Sequence, residues 1–185
     1  MRKLIFQNAV TIDGFFEGPN REIDWHNVDD EFNSMAEEFL NSVDLLIFGR
    51  VTYELMESYW PTPAALNDDH VIAKLMNDIP KIVFSRTLNK AVWNNTRLIK
   101  ENLTGEIKNL KKQPGKNMAI FGSSDLSLEL IENNLIDEFR IILNPVAIGN
   151  GKTIFNGIKE RLKLKLLNTR AFKSGNVLIC YSQIK

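Results

Sequence analysis

The chain has 185 residues, with 23 Lys and Arg against 23 Asp and Glu, and so a formal net charge of zero. That length supports one compact domain, expected here to span 1–185, and the balanced charge gives no overall field to gather nucleic acid or an anionic membrane. A single cysteine, Cys180, excludes an internal disulfide, and no apolar run approaches membrane-spanning length, so a soluble cytoplasmic protein is expected.

From the N-terminus, Lys3 to Thr11 is rich in β-formers and reads as a strand. It runs into a Gly-punctuated loop, Ile12 to Asn20, whose Asp13, Phe15, Phe16 and Glu17 exceed what a plain connection needs. Asp24, Trp25 and His26 precede Phe32, Met35, Ala36, Phe39 and Leu40 at helical spacing, which predicts a helix from about Val28 to Ser42 capped by Asn27 or Asp29. Asp44 to Gly49 is a short apolar strand that turns at Gly49-Arg50 into a helix reaching about Tyr59, where Pro61 and Pro63 stop it. Asp68 to Asn77 reads as a further helix, and Lys81 to Phe84 as a buried strand followed by Ser85-Arg86-Thr87. A short strand near Arg97 to Ile99 and a helix over Leu103 to Lys112 lead to the apolar strand Met118 to Phe121. Ile136 to Val146 alternates, and strands at about Lys163 to Phe172 and Val177 to Ile184 flank Lys173-Ser174-Gly175-Asn176, which has hairpin-turn chemistry.

Strands separated by helices and then a terminal hairpin predict an α/β fold, with a mostly parallel sheet and antiparallel strands at one edge. Ligands of such sheets bind outside the carboxyl ends of the strands, which here hold Gly49-Arg50, Ser85-Arg86 and Gly122-Ser123-Ser124-Asp125. The last of these joins a strand to a helix carrying Leu126, Leu128 and Leu130, so backbone N–H groups and the positive end of the helix dipole point at one spot suited to a phosphate. Any one such turn serves equally well to cap its helix. Several on one edge with two arginines point to a phosphate-bearing ligand, and Arg50 offers a five-donor fork at a helix start where the dipole disfavours a cation.

Five stretches, in order and over almost the whole chain, resemble the dihydrofolate reductase-like superfamily: Asp13-Gly14-Phe15, Leu46 to Glu54, Phe84-Ser85-Arg86, Ile120-Phe121-Gly122-Ser123, and Asn144-Pro145-Val146 leading to Gly149-Asn150-Gly151. Within it they are most similar to the reductase domain of riboflavin biosynthesis, the C-terminal half of the bifunctional deaminase-reductase. The resemblance implies a sheet of about eight strands with flanking helices, NADPH as hydride donor, and a homodimer. It also implies that Gly49, Arg50 and Thr52 hold the cofactor's phosphates and adenosine, and that Ser85 and Arg86 meet its 2′-phosphate. Gly122, Ser123, Ser124 and Leu126 would wrap the pyrophosphate and nicotinamide side, while Ala9 and Val10 offer backbone to the nicotinamide amide.

On the substrate side, the resemblance places a carboxylate five residues after a tryptophan, which here is Asp30 after Trp25. Asp30 is the catalytic candidate; its neighbours Asp29 and Glu31 compete for that role, and stabilisation of a helix N-terminus accounts equally well for all three. Asp13, Asp24 and Tyr53 are further substrate-side candidates. The zinc deaminase half of the bifunctional enzyme is not carried by this chain, since Cys180 stands alone and neither His26 nor His70 begins a His-x-Glu pattern. The expected activity is hydride transfer from NADPH to a small heterocyclic or C=N/C=O-containing molecule, resembling the reduction of 5-amino-6-(5-phosphoribosylamino)uracil and requiring no metal. A nucleotide-binding or interaction protein on the same scaffold is the alternative.

Overall fold

The computed structural model describes residues 1–122 and 124–184, and of Ser124 the backbone alone. In chain order its elements are β1 (Leu4–Thr11), β2 (Phe15–Glu17), α1 (Asp30–Asn41), β3 (Val43–Gly49), α2 (Arg50–Tyr59), α3 (Pro63–Asp68), α4 (His70–Asp78), β4 (Lys81–Phe84) and β5 (Thr96–Ile99). There follow α5 (Leu103–Lys112), β6 (Asn117–Phe121), α6 (Ser124–Glu132), β7 (Glu138–Asn144), β8 (Lys152–Thr153), β9 (Leu164–Ala171) and β10 (Val177–Gln183). Eight strands form one sheet in the order β5-β4-β3-β6-β1-β7-β10-β9. The first six in that order run parallel, whereas β10 is antiparallel to β7 and β9 to β10. This is the mostly parallel sheet with a C-terminal antiparallel hairpin that the residue pattern predicts.

The inner strands are apolar at successive positions because helices cover both faces, and Leu46, Ile47 and Phe48 of β3 are all fully buried. On one face Phe6, Ile120 and Phe139 pack with Ile107 and Leu110 of α5 and Leu130 of α6. On the other, Ile5, Phe48 and Val83 pack with Phe39 and Leu40 of α1 and Ile72 and Met76 of α4.

Three details depart from the expectation. Helix α1 begins at Asp30 rather than Val28, because Asp29 Oδ1 accepts the Phe32 N–H at 2.7 Å and so decides between the two candidate caps. The helix expected over Asp68 to Asn77 is α4, which starts at His70 because Asp69 caps it; ahead of it lies α3, which the residue pattern did not predict, capped by Thr62 with Pro63 in its first turn. Pro63, the second of the two prolines that follow α2, thus starts its successor. Finally, β2 and β8 pair antiparallel in strands too short to leave a periodicity, and only a glycine fits beside them at position 151, where a Cβ would lie 2.3 Å from the Glu17 carbonyl oxygen.

Candidate functional site

The parallel strands end at one edge of the sheet, so the loops after β1, β3, β4, β5, β6 and β7 gather there. The register of β1 with β6 stops at Gln7↔Phe121, while β1 continues beside β7 to Thr11↔Asn144. Gly122, at φ +53°, turns the chain out of the sheet at that point. Backbone groups alternate sides along a strand: the Lys3 and Gln7 carbonyls accept from Met118 and Gly122 on the β6 side, and Leu4 accepts from Asp137 on the β7 side. The N–H and C=O of Ala9 therefore face the β6 side beyond the end of that strand. Val10 faces the other way, and its carbonyl accepts from Asn144 Nδ2 at 3.4 Å. Of the two residues expected to offer backbone, Ala9 is the one so placed.

On the same edge lies a cleft of about 590 Å³, bordered by Gly49, Arg50, the Ser85-Arg86-Thr87 turn, Lys100 to Thr104, and Asp125 and Leu126. It brings together Gly49, Arg50, Ser85, Arg86 and Leu126 as expected from their strand ends. Thr52 stands against the Gly122 turn, since a Cβ on Gly122 would lie 3.2 Å from Thr52 Oγ1. Ser123 lies outside the described residues, as does the side chain of Ser124, with which α6 begins. Helix α2 starts at Gly49 with no side-chain cap, and α5 starts at the cleft with Asn102 Oδ1 accepting the Gly105 N–H at 3.2 Å. Positive helix ends therefore converge on the cleft.

The cations around it differ in their commitments. Arg50 Nη1 donates to Glu54 at 2.8 Å across an exposed helical pair, and Lys100 donates to the Leu88 carbonyl. Arg86 is exposed. Ser85 Oγ accepts from the N–H groups of Thr87 at 3.2 Å and Leu88 at 2.9 Å, so its hydroxyl organises the turn that presents Arg86. A second depression of about 640 Å³ shares Arg50 and Thr87 and adds Asn89 and Lys90. Lys90, Lys100 and Thr104 were not singled out by the residue pattern; a cation just past β5 was the available signal.

Tyr53 is a correction. It is buried, and its hydroxyl accepts from the N–H groups of Val92 at 2.9 Å and Trp93 at 2.8 Å. Its ring is buried beside Trp93, with the centroids 6.2 Å apart, so neither ring nor hydroxyl is presented at the surface. Trp93 is itself held by Asn77 Oδ1, which accepts its Nε1–H at 2.7 Å, and by Lys81, whose Nζ lies 4.5 Å from the ring centre. Burial lowers the Lys81 pKa to about 8.

The substrate-side candidates divide in the same way. Asp13 is bound by its surroundings: it accepts from the Thr11 hydroxyl at 2.5 Å, Ile148 N–H at 3.1 Å and Gly149 N–H at 2.7 Å, tying the loop after β1 to the loop after β7. Those bonds, Thr11 foremost, hold its carboxyl below the usual carboxylate range. Asp29 is likewise lowered, foremost by the Phe32 N–H that it accepts. Asp24 and Asp30 are exposed on either side of the half-buried Trp25. Three asparagines distant in sequence fix this segment: Asn144 Oδ1 accepts the Asn27 N–H at 2.9 Å, and Asn176 Nδ2 donates to the Asn27 carbonyl at 2.7 Å. Glu31 adds to the bracket by accepting the Lys173 N–H at 2.6 Å.

This sheet order and strand-end cleft define a dihydrofolate reductase-like α/β domain. More narrowly, the chain belongs to the RibD C-terminal domain family, whose model matches residues 2–178. It is 39% identical over 180 residues to the uncharacterized protein YyaP of Bacillus subtilis (strain 168), a match covering 97% of this chain and 94% of that protein. Its fold is similar to a putative riboflavin biosynthesis protein from Shewanella sp. PV-4, with a TM-score of 0.75 at 21% identity over 99% of each chain. It is also similar to dihydrofolate reductase from Enterococcus faecalis complexed with NADP(H), with a TM-score of 0.66 at 16% identity over 99% of this chain and 97% of that one.

Tyr53→Phe is expected to cost about 1–3 kcal/mol of stability, because two backbone N–H groups lose their acceptor and the Trp93 residue that carries one of them is buried. Equilibrium denaturation measures the cost, and faster amide exchange at Val92 and Trp93 locates it; unchanged exchange there contradicts the assignment.

Proposed function

We propose that the protein is an NADPH-dependent reductase that transfers a hydride to a small heterocyclic or C=N/C=O-containing molecule, a reaction of the kind carried out by 5-amino-6-(5-phosphoribosylamino)uracil reductase. The observation that supports this most is the interrupted edge of β1, where the Ala9 N–H and C=O face past the end of β6. A carboxamide has the donor and acceptor to match them. Gly49, Arg50 and the Gly122 turn suit a diphosphate, with Thr52 behind the turn, and Arg86 on the Ser85-organised turn suits a 2′-phosphate. The cofactor supplies the hydride; the chain's own task is to bind and orient two rings, which accounts for about 7–11 kcal/mol of barrier lowering in well-aligned reactions. Asp30, exposed in the first turn of α1, is the group proposed to anchor or protonate the substrate, a role worth about 10²–10⁴-fold.

The same reading takes residues 1–185 as one cytoplasmic domain; among the described residues no helix is long and apolar enough to cross a membrane. We also propose a homodimer through the C-terminal strands, where edge strand β9 exposes about half of Leu166 and Leu167. Sedimentation equilibrium is expected to return twice the chain mass, and a monomer at micromolar concentration contradicts this.

Thermal unfolding tests the cofactor. NADPH at about 100 times its Kd adds about 2.7 kcal/mol, a midpoint rise of about 5–10 °C for a chain of this size. NADH is expected to give a much smaller rise, and the double variant Arg50→Ala/Arg86→Ala to lose most of the NADPH effect. No rise with NADPH overturns the reductase reading.

A further inference from the structure

We infer that Tyr53, buried out of the cleft, is a positioning residue for the cofactor's 2′-phosphate: its hydroxyl sets where the loop carrying Arg86 stands relative to Arg50, and so how strongly NADPH is preferred over NADH. The inference rests on the reductase reading above and adds to it a determinant that touches no ligand.

Both depressions at this edge are lined by the same two elements. Helix α2 contributes Arg50 to each and Glu54 to one, while the loop after β4 contributes Ser85, Arg86 and Thr87 to one and Thr87 to Lys90 to the other. Arg50 and Arg86 therefore stand on separate segments of chain. For two cations to grip one ligand, their spacing has to be held to within about 0.5 Å by something that joins those segments. Tyr53 joins them. It follows Arg50 by three residues on α2 yet is buried where Arg50 is exposed, and its hydroxyl accepts the Val92 and Trp93 N–H groups at 2.9 and 2.8 Å.

The end of the loop that Tyr53 holds is firm. Trp93 is buried, donates its Nε1–H to Asn77 Oδ1 at 2.7 Å, and has its ring centre 5.9 Å from that of Phe48 in β3. Lys81 Nζ, 4.5 Å from the Trp93 ring centre, is itself fixed by the carbonyls of Met76, Asn77 and Ile79 at 2.8, 2.9 and 2.7 Å. Between Trp93 and Arg86 the loop stays close to this core, because Leu88 and Ala91 pack against the same cluster as Tyr53 and Trp93. Ser85 Oγ accepts the Leu88 N–H and Lys100 donates to the Leu88 carbonyl, which shapes the turn, whereas Tyr53 ties the loop to the helix that bears Arg50.

Loss of the Tyr53 hydroxyl frees the loop without touching the groups proposed to hold the diphosphate, since Gly49, Arg50 and the Gly122 turn belong to other segments. NADH, which has no 2′-phosphate, keeps all of those contacts. NADPH loses the one that the loop supplies, so the change falls on the preference between the two cofactors rather than on binding of both.

Calorimetric titration of NADPH and of NADH into the full chain tests this, with Tyr53→Phe, Arg86→Ala and the double variant beside the native protein. Tyr53→Phe is expected to weaken NADPH at least about 5-fold and to leave NADH within about 2-fold. The double variant is expected to bind NADPH within about 2-fold of Arg86→Ala, because the placement of the loop no longer matters once Arg86 is gone. Leu178→Ala, a destabilising change in the separate core cluster around Met35, is expected to leave the ratio of the two affinities unaltered and so separates placement from lost stability. Equal weakening of both cofactors by Tyr53→Phe, no weakening of either, independent losses that multiply in the double variant, or a ratio that shrinks as far in Leu178→Ala each overturns the inference and leaves the reductase reading standing. A native protein that does not bind NADPH overturns both.

Discussion

Strand β1 is longer than its neighbour β6 can pair. The two stay in register to Gln7, after which Gly122 carries the chain away and leaves Asn8 to Thr11 bonded on the β7 side alone. On the other side the N–H and C=O of the half-buried Ala9 lie beyond the end of β6. The rest of the edge is arranged around that gap. The same turn that ends β6 packs on Thr52 in the first turn of α2, so two helix starts are brought side by side.

What surrounds the gap is held firmly, and by groups whose chemistry looks catalytic until their partners are known. Tyr53 supports the 85–93 loop from below, and Ser85 folds the turn that bears Arg86. Asp13 joins the loops after β1 and β7, while Asn144 and Asn176 bracket Asn27 and with it the Trp25 segment. The loops at the strand ends are thereby fixed to a rigid sheet, which is what the proposed orienting of two rings demands. The loops at the strand ends also differ in charge: Arg50, Arg86, Lys90 and Lys100 stand at the two depressions or beside them, whereas seven carboxylates lie between Ile12 and Glu31.

Much of this was legible in the residue order. Short apolar runs ending at Gly49, Ser85 and Gly122 marked strands closing on one edge, and Lys173 to Asn176 marked the terminal hairpin. The inner pairings of β2 with β8 left no trace, because strands of two or three residues carry no period. Nor did the direction in which Tyr53 points, since α2 is only ten residues long and its apolar Val51 and Leu55 are exposed. Ala9 and Val10 look alike from sequence; which of them faces the gap depends on strand parity relative to two neighbours more than a hundred residues away. The asparagine bracket joins positions 27, 144 and 176, a contact that no local pattern encodes.

The central claim is that the cofactor completes the edge β6 leaves open, and amide hydrogen exchange of Ala9 tests it most directly. Saturating NADPH is predicted to slow exchange at Ala9 by at least about 10-fold, with little change at Val10, whose backbone already faces β7. NADPH that binds yet leaves Ala9 exchange unchanged would contradict the account.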